Sequence, residues 1–221
     1  SNDTGTSGQV IQNNAIGVNT AGAVIGQAGA GIHVAGTSAG DTSNNSINTN
    51  NIAGSGGAGI VVEATEGGSA TGNTIRFNSI HANDGLGIDP VPGADVTAND
   101  VGDGDTGANN LQNFPGLGFA TVGASDTLIE GVLSSTPARN FTIDFYANGE
   151  CDPSGHGEGH GHLGSKGVTT LDGGDVEFSH TIGFALEPGT QVKATAPDGV
   201  AGDTSEFSAC IAAVGGQQPG A

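Results

Sequence analysis

Isoleucine and asparagine return at a fixed phase along the first half of the chain. Asn45-Ser46-Ile47-Asn48-Thr49-Asn50-Asn51-Ile52 aligns with Asn73-Thr74-Ile75-Arg76-Phe77-Asn78-Ser79-Ile80 at an offset of 28 residues, and Gly59-Ile60 stands 28 before Gly87-Ile88. An earlier copy, Val10-Ile11-Gln12-Asn13-Asn14-Ala15-Ile16, is followed by Gly31-Ile32, again 28 before Gly59-Ile60. In that copy Ile16 and Ile32 are 16 apart where the later copies have 8, so the pattern predicts an eight-residue insertion near 17–30. Each stretch carries one or two inward apolar residues, too few to bury a hairpin alone. Stacking equivalent turns buries them in columns. Asparagines at equivalent positions can bond coil to coil, and asparagine tolerates the left-handed backbone that such turns need. Gly59 and Gly87 permit tight corners. The pattern predicts a parallel β-solenoid of about three coils over 1–90. A leucine-rich repeat is the competing architecture; few leucines and no helical period set it aside.

The pattern changes near residue 115. Sixteen asparagines precede it and only Asn140 and Asn148 follow; no aromatic occurs before Phe77. Phe141, Ile143 and Phe145 alternate with Thr142, Asp144 and Tyr146, as in a half-buried strand. Val176, Phe178 and Ile182 predict a second strand, and Val192, Ala194 and Ala196 a third that ends at Pro197-Asp198-Gly199. Leu128–Leu133 and Gly167–Leu171 are weaker, and Phe207, Ala209 and Ile211 close the set. Short strands at this spacing predict an immunoglobulin-like β-sandwich over 119–214. An acidic Gly/Asn-rich connecting loop fills 91–118, and 215–221 reads as a tail. The fold class is therefore all-β: a short parallel β-helix, then a sandwich.

Composition narrows the function. Four Lys and Arg stand against 23 Asp and Glu, a formal charge of −19 and a pI near 4.1. So few cations cannot neutralise a phosphate backbone, which excludes nucleic-acid binding, and anionic membrane surfaces are disfavoured. No apolar run approaches the roughly 20 residues of a membrane helix, so membrane insertion is not expected. The absence of methionine implies that an initiator or leader has been removed. Cys151 and Cys210 are either a disulfide or two buried thiols. Acidity and low lysine favour an exported protein, and so the disulfide.

Asn-x-Ile-x-x-Asn-x-Ile followed by Gly-Ile resembles the right-handed parallel β-helix repeats of bacterial secreted and surface proteins. Gly87-Ile88-Asp89 through Asn99-Asp100, Asp103 and Asp105-Thr106-Gly107-Ala108-Asn109-Asn110-Leu111-Gln112-Asn113-Phe114-Pro115 resembles the segment that closes such helices. Cys151-Asp152-Pro153-Ser154-Gly155, Gly157-Glu158-Gly159 and Thr204-Ser205-Glu206-Phe207-Ser208-Ala209-Cys210 are similar to the β-sandwich that often follows. The resemblance spans about residues 9–211. It implies the fold and export to the cell surface and specifies no activity. The chain departs from the pattern at His156, His160 and His162, where the family leads one to expect aromatic or neutral polar residues.

Two clusters could hold metal. Asp89, Asp95, Asn99, Asp100, Asp103 and Asp105 line an acidic stretch. Asp103-Gly104-Asp105-Thr106-Gly107 is a fragment of an Asp-x-Asp-x-Gly calcium loop, and Ca²⁺ takes hard oxygen ligands. No Glu stands where an EF-hand needs it, and a solvated loop whose acids cap turns is the alternative. His156, His160 and His162 could ligate a transition metal, but alternating glycines favour an ordinary polar loop tip. Gly155-His156-Gly157 resembles a motif of β-helical pectin hydrolases and falls in the wrong domain.

Catalysis is not expected. Polysaccharide lyases need a cationic base and clamp, and Arg76 is the solenoid's one cation. Hydrolases need paired carboxylates about 5 to 9.5 Å apart; Glu63, Glu66, Asp84 and Asp89 are the solenoid acids after Asp41, and only Asp84 and Asp89 flank one turn. His33 and His81 read as outward rung residues. The expectation is a non-catalytic, secreted structural protein: a fibre or surface-layer subunit, or an adhesive stalk, that associates with copies of itself through its ends. Binding or cleavage of a surface polysaccharide is the alternative.

Overall fold

The computed structural model describes residues 6–91 and 95–216. The chain is all-β, with parallel and antiparallel sheets. Three parallel sheets come first. Val10–Gln12 (β1), Ser46–Asn48 (β4) and Thr74–Arg76 (β7) form one; Ala15–Ile16 (β2), Asn51–Ala53 (β5) and Ser79–His81 (β8) the second; Ile32–Gly36 (β3), Ile60–Ala64 (β6) and Ile88–Asp89 (β9) the third. Each pass of the chain, here called a coil, gives one strand to each sheet. Register reproduces the repeat: Ile47 pairs with Ile75, Ile52 with Ile80 and Ile60 with Ile88. Ile11 pairs with Ile47 and Ile16 with Ile52, whereas Ile32 pairs with Ile60. The register jump between Ile16 and Ile32 is the insertion, and a Val18–Val24 bridge folds it onto itself. The columns share one core, in which Ile47, Ile52 and Ile60 are wholly buried.

Every coil turns at three corners, each made by a left-handed residue followed by a polar one, buried in the second and third coils. Gly8, Asn44 and Gly72 occupy the first corner, Asn13, Thr49 and Phe77 the second, and Gly26, Gly54 and Ala82 the third, all with φ between 54° and 74°. The residues that follow form ladders. Asn14 donates from N and Nδ2 to Asn50 Oδ1, and Asn50 likewise to Asn78 Oδ1. Asn45 donates to Asn73 Oδ1, and Ser55 N to Asn83 Oδ1. A buried amide satisfied on both faces removes the desolvation penalty of the corner.

The second half holds two four-stranded sheets over a separate core. Asp175–Ile182 (β14), Thr127–Ser134 (β11), Gly116–Val122 (β10) and Val214–Gly215 (β17) form one. Gly161–Thr169 (β13), Asn140–Asn148 (β12), Gln191–Thr195 (β15) and Ile211–Ala212 (β16) form the other. Ile129 and Leu133 face Phe141, Ile143 and Phe145 between them.

The expected strands over 141–146, 176–182 and 192–196 are present. Two boundaries differ. The weak candidate at 167–171 is the end of β13, which starts at Gly161 and takes in His162, the last residues of the glycine-histidine alternation. Residues 203–210 make no ladder and serve another purpose. Of the expected tail 215–221, Gly215 lies in β17 and 217–221 fall outside the described residues.

Candidate functional site

The last coil is finished by the second half of the chain. Each corner ladder ends there. Asn73 N donates to Asn109 Oδ1 at 3.0 Å, and Asn109 Nδ2 returns to Asn73 O. Asn109 sits in a short turn, Ala108–Leu111, at φ 44°, the left-handed conformation asparagine tolerates. Asn83 N and Nδ2 both donate to Glu158 Oε1, so a carboxylate stands where a fourth rung would be. At the second corner Phe77 N donates to the Tyr146 hydroxyl.

The exposed edge is paired as well. Ile75 N donates to Thr204 Oγ1, Gly72 N to Asp203 Oδ1, Ile80 N to Gly159 O and Gly87 N to Gly157 O. Residues 203–210 forgo a ladder of their own and contribute to this pairing. Apolar packing continues past the last coil too. Gly31, Gly59 and Gly87 are equivalent; a Cβ there would strike Ile52 at 2.5 Å, Ile80 at 2.5 Å and the Phe207 ring at 2.7 Å. Phe207 thus takes the place of a next-coil isoleucine, and with Tyr146 it belongs to the coil core.

One ion pair locks the seam. Arg76 Nε and Nη2 donate to Asp144 Oδ2 and Oδ1 at 2.6 and 2.7 Å, and the Asp144 side chain is fully buried. Burial alone would push the Asp144 carboxyl up; hydrogen bonds from Arg76, His162 and Ser165 outweigh it and hold it low. The hydrogen bond to Asp144 raises Arg76 in turn.

The acidic residues divide. Asp100, Asp103 and Asp105 each place a carboxylate oxygen within 4.8 Å of the others. Asp103 accepts from Asn113 N and Ser135 Oγ, and Asp100 Oδ2 from Gly104 N. Asp100 Oδ1 and Asp105 Oδ1 are buried with no donor. Burial, then neighbouring carboxylates, raise Asp105; burial raises Asp103 against its hydrogen bonds. Asn99 is spent elsewhere, exchanging hydrogen bonds with the Phe114 backbone. Asp89 and Asp95 lie apart, lining a cleft of about 690 Å³ with Asp84, Asp152 and His156. Behind it Glu206 accepts from Thr97 N and Oγ1; burial raises its carboxyl to about 7.

The three histidines separate, and among the described residues none joins a metal-type cluster. His156 Nδ1 contacts Phe207 O, His160 stacks on His81 with centroids 4.2 Å apart, and His162 packs edge-on against Phe77 and Tyr146. His81, expected as an outward rung residue, is therefore partly covered. Cys151 and Cys210 form a disulfide. Asp144 and Lys193 were not singled out from sequence, and Glu158 and Glu206 stood in the quoted motifs without a role; burial reveals all four.

No protein-family model matches the chain, and no curated protein matches it. Among solved structures it is similar to a chain described as "Biofilm associated protein - BSP domain", at 19% identity and a TM-score of 0.33. That match covers 51% of this chain and 16% of the other. A likeness of that extent leaves function to the geometry above.

Proposed function

We propose that the chain is an exported, non-catalytic structural module of a cell surface: a right-handed parallel β-helix of three coils ended by an immunoglobulin-like sandwich. The columns of three parallel sheets in one core support a closed helix. Two packed, mainly antiparallel sheets support the sandwich. The acidic composition and the disulfide support an extracellular setting.

The carrying observation is that the two ends of the coil stack differ. The last coil's corners and edge are paired by the second half. Among the described residues, β1, β2 and β3 each have one parallel neighbour, and Val10, Val24 and Ile25 are exposed nearby. Unpaired edges of this kind invite another strand. The occupant proposed is the first coil of a second copy. Sedimentation velocity tests this: the chain sediments as a dimer at micromolar concentration and Ile11→Asp as a monomer. A wild-type monomer throughout contradicts it.

Calcium at Asp100, Asp103 and Asp105 belongs to this reading. Two buried carboxylate oxygens without donors suit a hard cation, which would steady the stretch between the modules. Calorimetry should show calcium uptake that Asp105→Asn abolishes; no uptake by the wild type contradicts it.

The junction cleft favours a second reading, polysaccharide binding or cleavage. Four aspartates converge on it, and burial raises Asp89. Glycan binding lost in Asp89→Asn would support it.

A further inference from the structure

The disulfide joins the two segments that finish the last coil. Cys151 lies in residues 149–160, the strandless link between β12 and β13, and Cys210 ends the stretch 203–210. In the link, Gly157, Glu158 and Gly159 accept from Gly87, Asn83 and Ile80. In the stretch, Thr204 accepts from Ile75, and Phe207 packs into the coil core. The two segments are held unequally. Residues 203–210 are bonded to β15 and its end: Ser208 N donates to Ala194 O, Ala194 N to Ser208 Oγ and Ala196 N to Ser205 Oγ. The link reaches that stretch through Cys210 N donating to Gly155 O and a contact between His156 Nδ1 and Phe207 O. Its other bonds within the second half are local, such as Ser154 N to Asp152 Oδ1 and His160 N to Asn148 Oδ1.

Closure of the link also carries a cost. Lys193, in β15, is 0% exposed, and its Nζ has no hydrogen-bond partner among the described residues. A Cβ on Gly157 would lie 3.0 Å from that Nζ, so the backbone of the link lies against the amine. Glu158, two residues before the end of the link, is buried as well. An ammonium buried without a partner is strongly unfavourable. Swinging the link away would return both groups to water, and the covalent bond at Cys151 opposes that movement.

We propose that the disulfide is a redox latch on the cap: reduction releases residues 149–160 from the last coil while 203–210 stays in place. The reductant is a dithiol, which reaches Cys151 through an open pocket of about 340 Å³ that Cys151 lines with His81, Asn148 and Pro153. One thiolate of the dithiol attacks a sulfur, the Sγ–Sγ bond breaks, and the second thiolate resolves the mixed disulfide. The dithiol leaves oxidised, as a cyclic disulfide, and its two protons end on Cys151 and Cys210 as thiols. Ile80, Asn83 and Gly87 then lose their acceptors. Ile75 and Phe77, in the same coil, keep Thr204 and Tyr146.

Hydrogen exchange of the full chain, with and without dithiothreitol, tests this. Alkylation and intact mass confirm that both cysteines are free in the reduced sample. In the oxidised chain the amides of Ile80, Asn83 and Gly87 should exchange together with those of Ile75 and Phe77. In the reduced chain the first set should outpace the second by on the order of a hundredfold. Comparing the two sets within one coil separates release of the link from a loss of stability shared by the whole chain. Cys151→Ser should show the split without reductant, and wild type reoxidised after reduction should lose it. Two sets that still exchange together with both thiols free overturn the proposal. A split already present in the oxidised chain also overturns it, because the link would then open without the latch.

Discussion

Arg76 reaches out of the third coil and forms a bidentate pair with Asp144, 68 residues further along the chain, at 2.6 and 2.7 Å. Each group is unfavourable to bury without the other. Arg76→Met should therefore destabilise by about 3–5 kcal/mol, and Asp144→Asn in the same background should recover part of that. Urea denaturation of the single and double variants measures the coupling. Additive losses would contradict a direct pair.

The corners make a prediction of opposite sign. Ala82 holds φ 56° where the equivalent Gly26 and Gly54 hold 74° and 69°. A left-handed conformation costs an L-residue roughly 1–2 kcal/mol, so Ala82→Gly should stabilise by about 1 kcal/mol. Asn78→Ala should instead destabilise by about 2–4 kcal/mol, because it strands the donors of Asn50 and the carbonyl of Ile47. Thermal unfolding of both variants checks the pair of signs.

Much of the coil stack was legible because its order is local and repeated. The 28-residue phase of Ile47 and Ile75, and the insertion before Ile32, appear directly in the strand registers. How the stack ends was not legible. Glu158 ends the third-corner ladder from 75 residues away, and nothing in Gly-Glu-Gly marks it as a rung. Arg76 looked like a lone cation because its partner lies on a strand whose inward positions read as apolar alternation. The acids of 89–105 form one run in sequence, but Asn99 folds back on Phe114 and Asp89 belongs to β9. Backbone direction, which composition does not encode, separates them.

Stability should fall as pH rises from about 4.5 through about 7, and fall again as pH drops below the ordinary carboxylate range. Glu206 has a folded pKa of about 7, above the ordinary carboxylate value. A raised carboxyl stabilises fully below the unfolded pKa, and that contribution is lost as pH rises through about 7. Asp144 is depressed, so its contribution is present above the unfolded pKa and is lost as pH falls through the folded one. Glu206→Gln should therefore remove a loss on the order of 3 kcal/mol between pH 4.5 and 8. Denaturation midpoints across that range, with and without the substitution, measure it. Parallel profiles would contradict the assignment.

Hydrogen exchange of individual amides tests the capped stack and its open end together. Ser46 N donates to Gln9 O and Asn51 N to Asn14 O in the coil before. The equivalent amides of the first coil are those of Val10 and Ala15. In dilute protein, the amides of Ile75, Phe77 and Ile80 should exchange only through global unfolding, because Thr204, Tyr146 and Gly159 accept them. Val10 and Ala15 should exchange near the free rate and become protected as concentration rises and copies meet. Ile75, Phe77 and Ile80 exchanging as fast as Val10 and Ala15 would contradict the cap, and Val10 and Ala15 staying unprotected at every concentration would contradict pairing through the first coil.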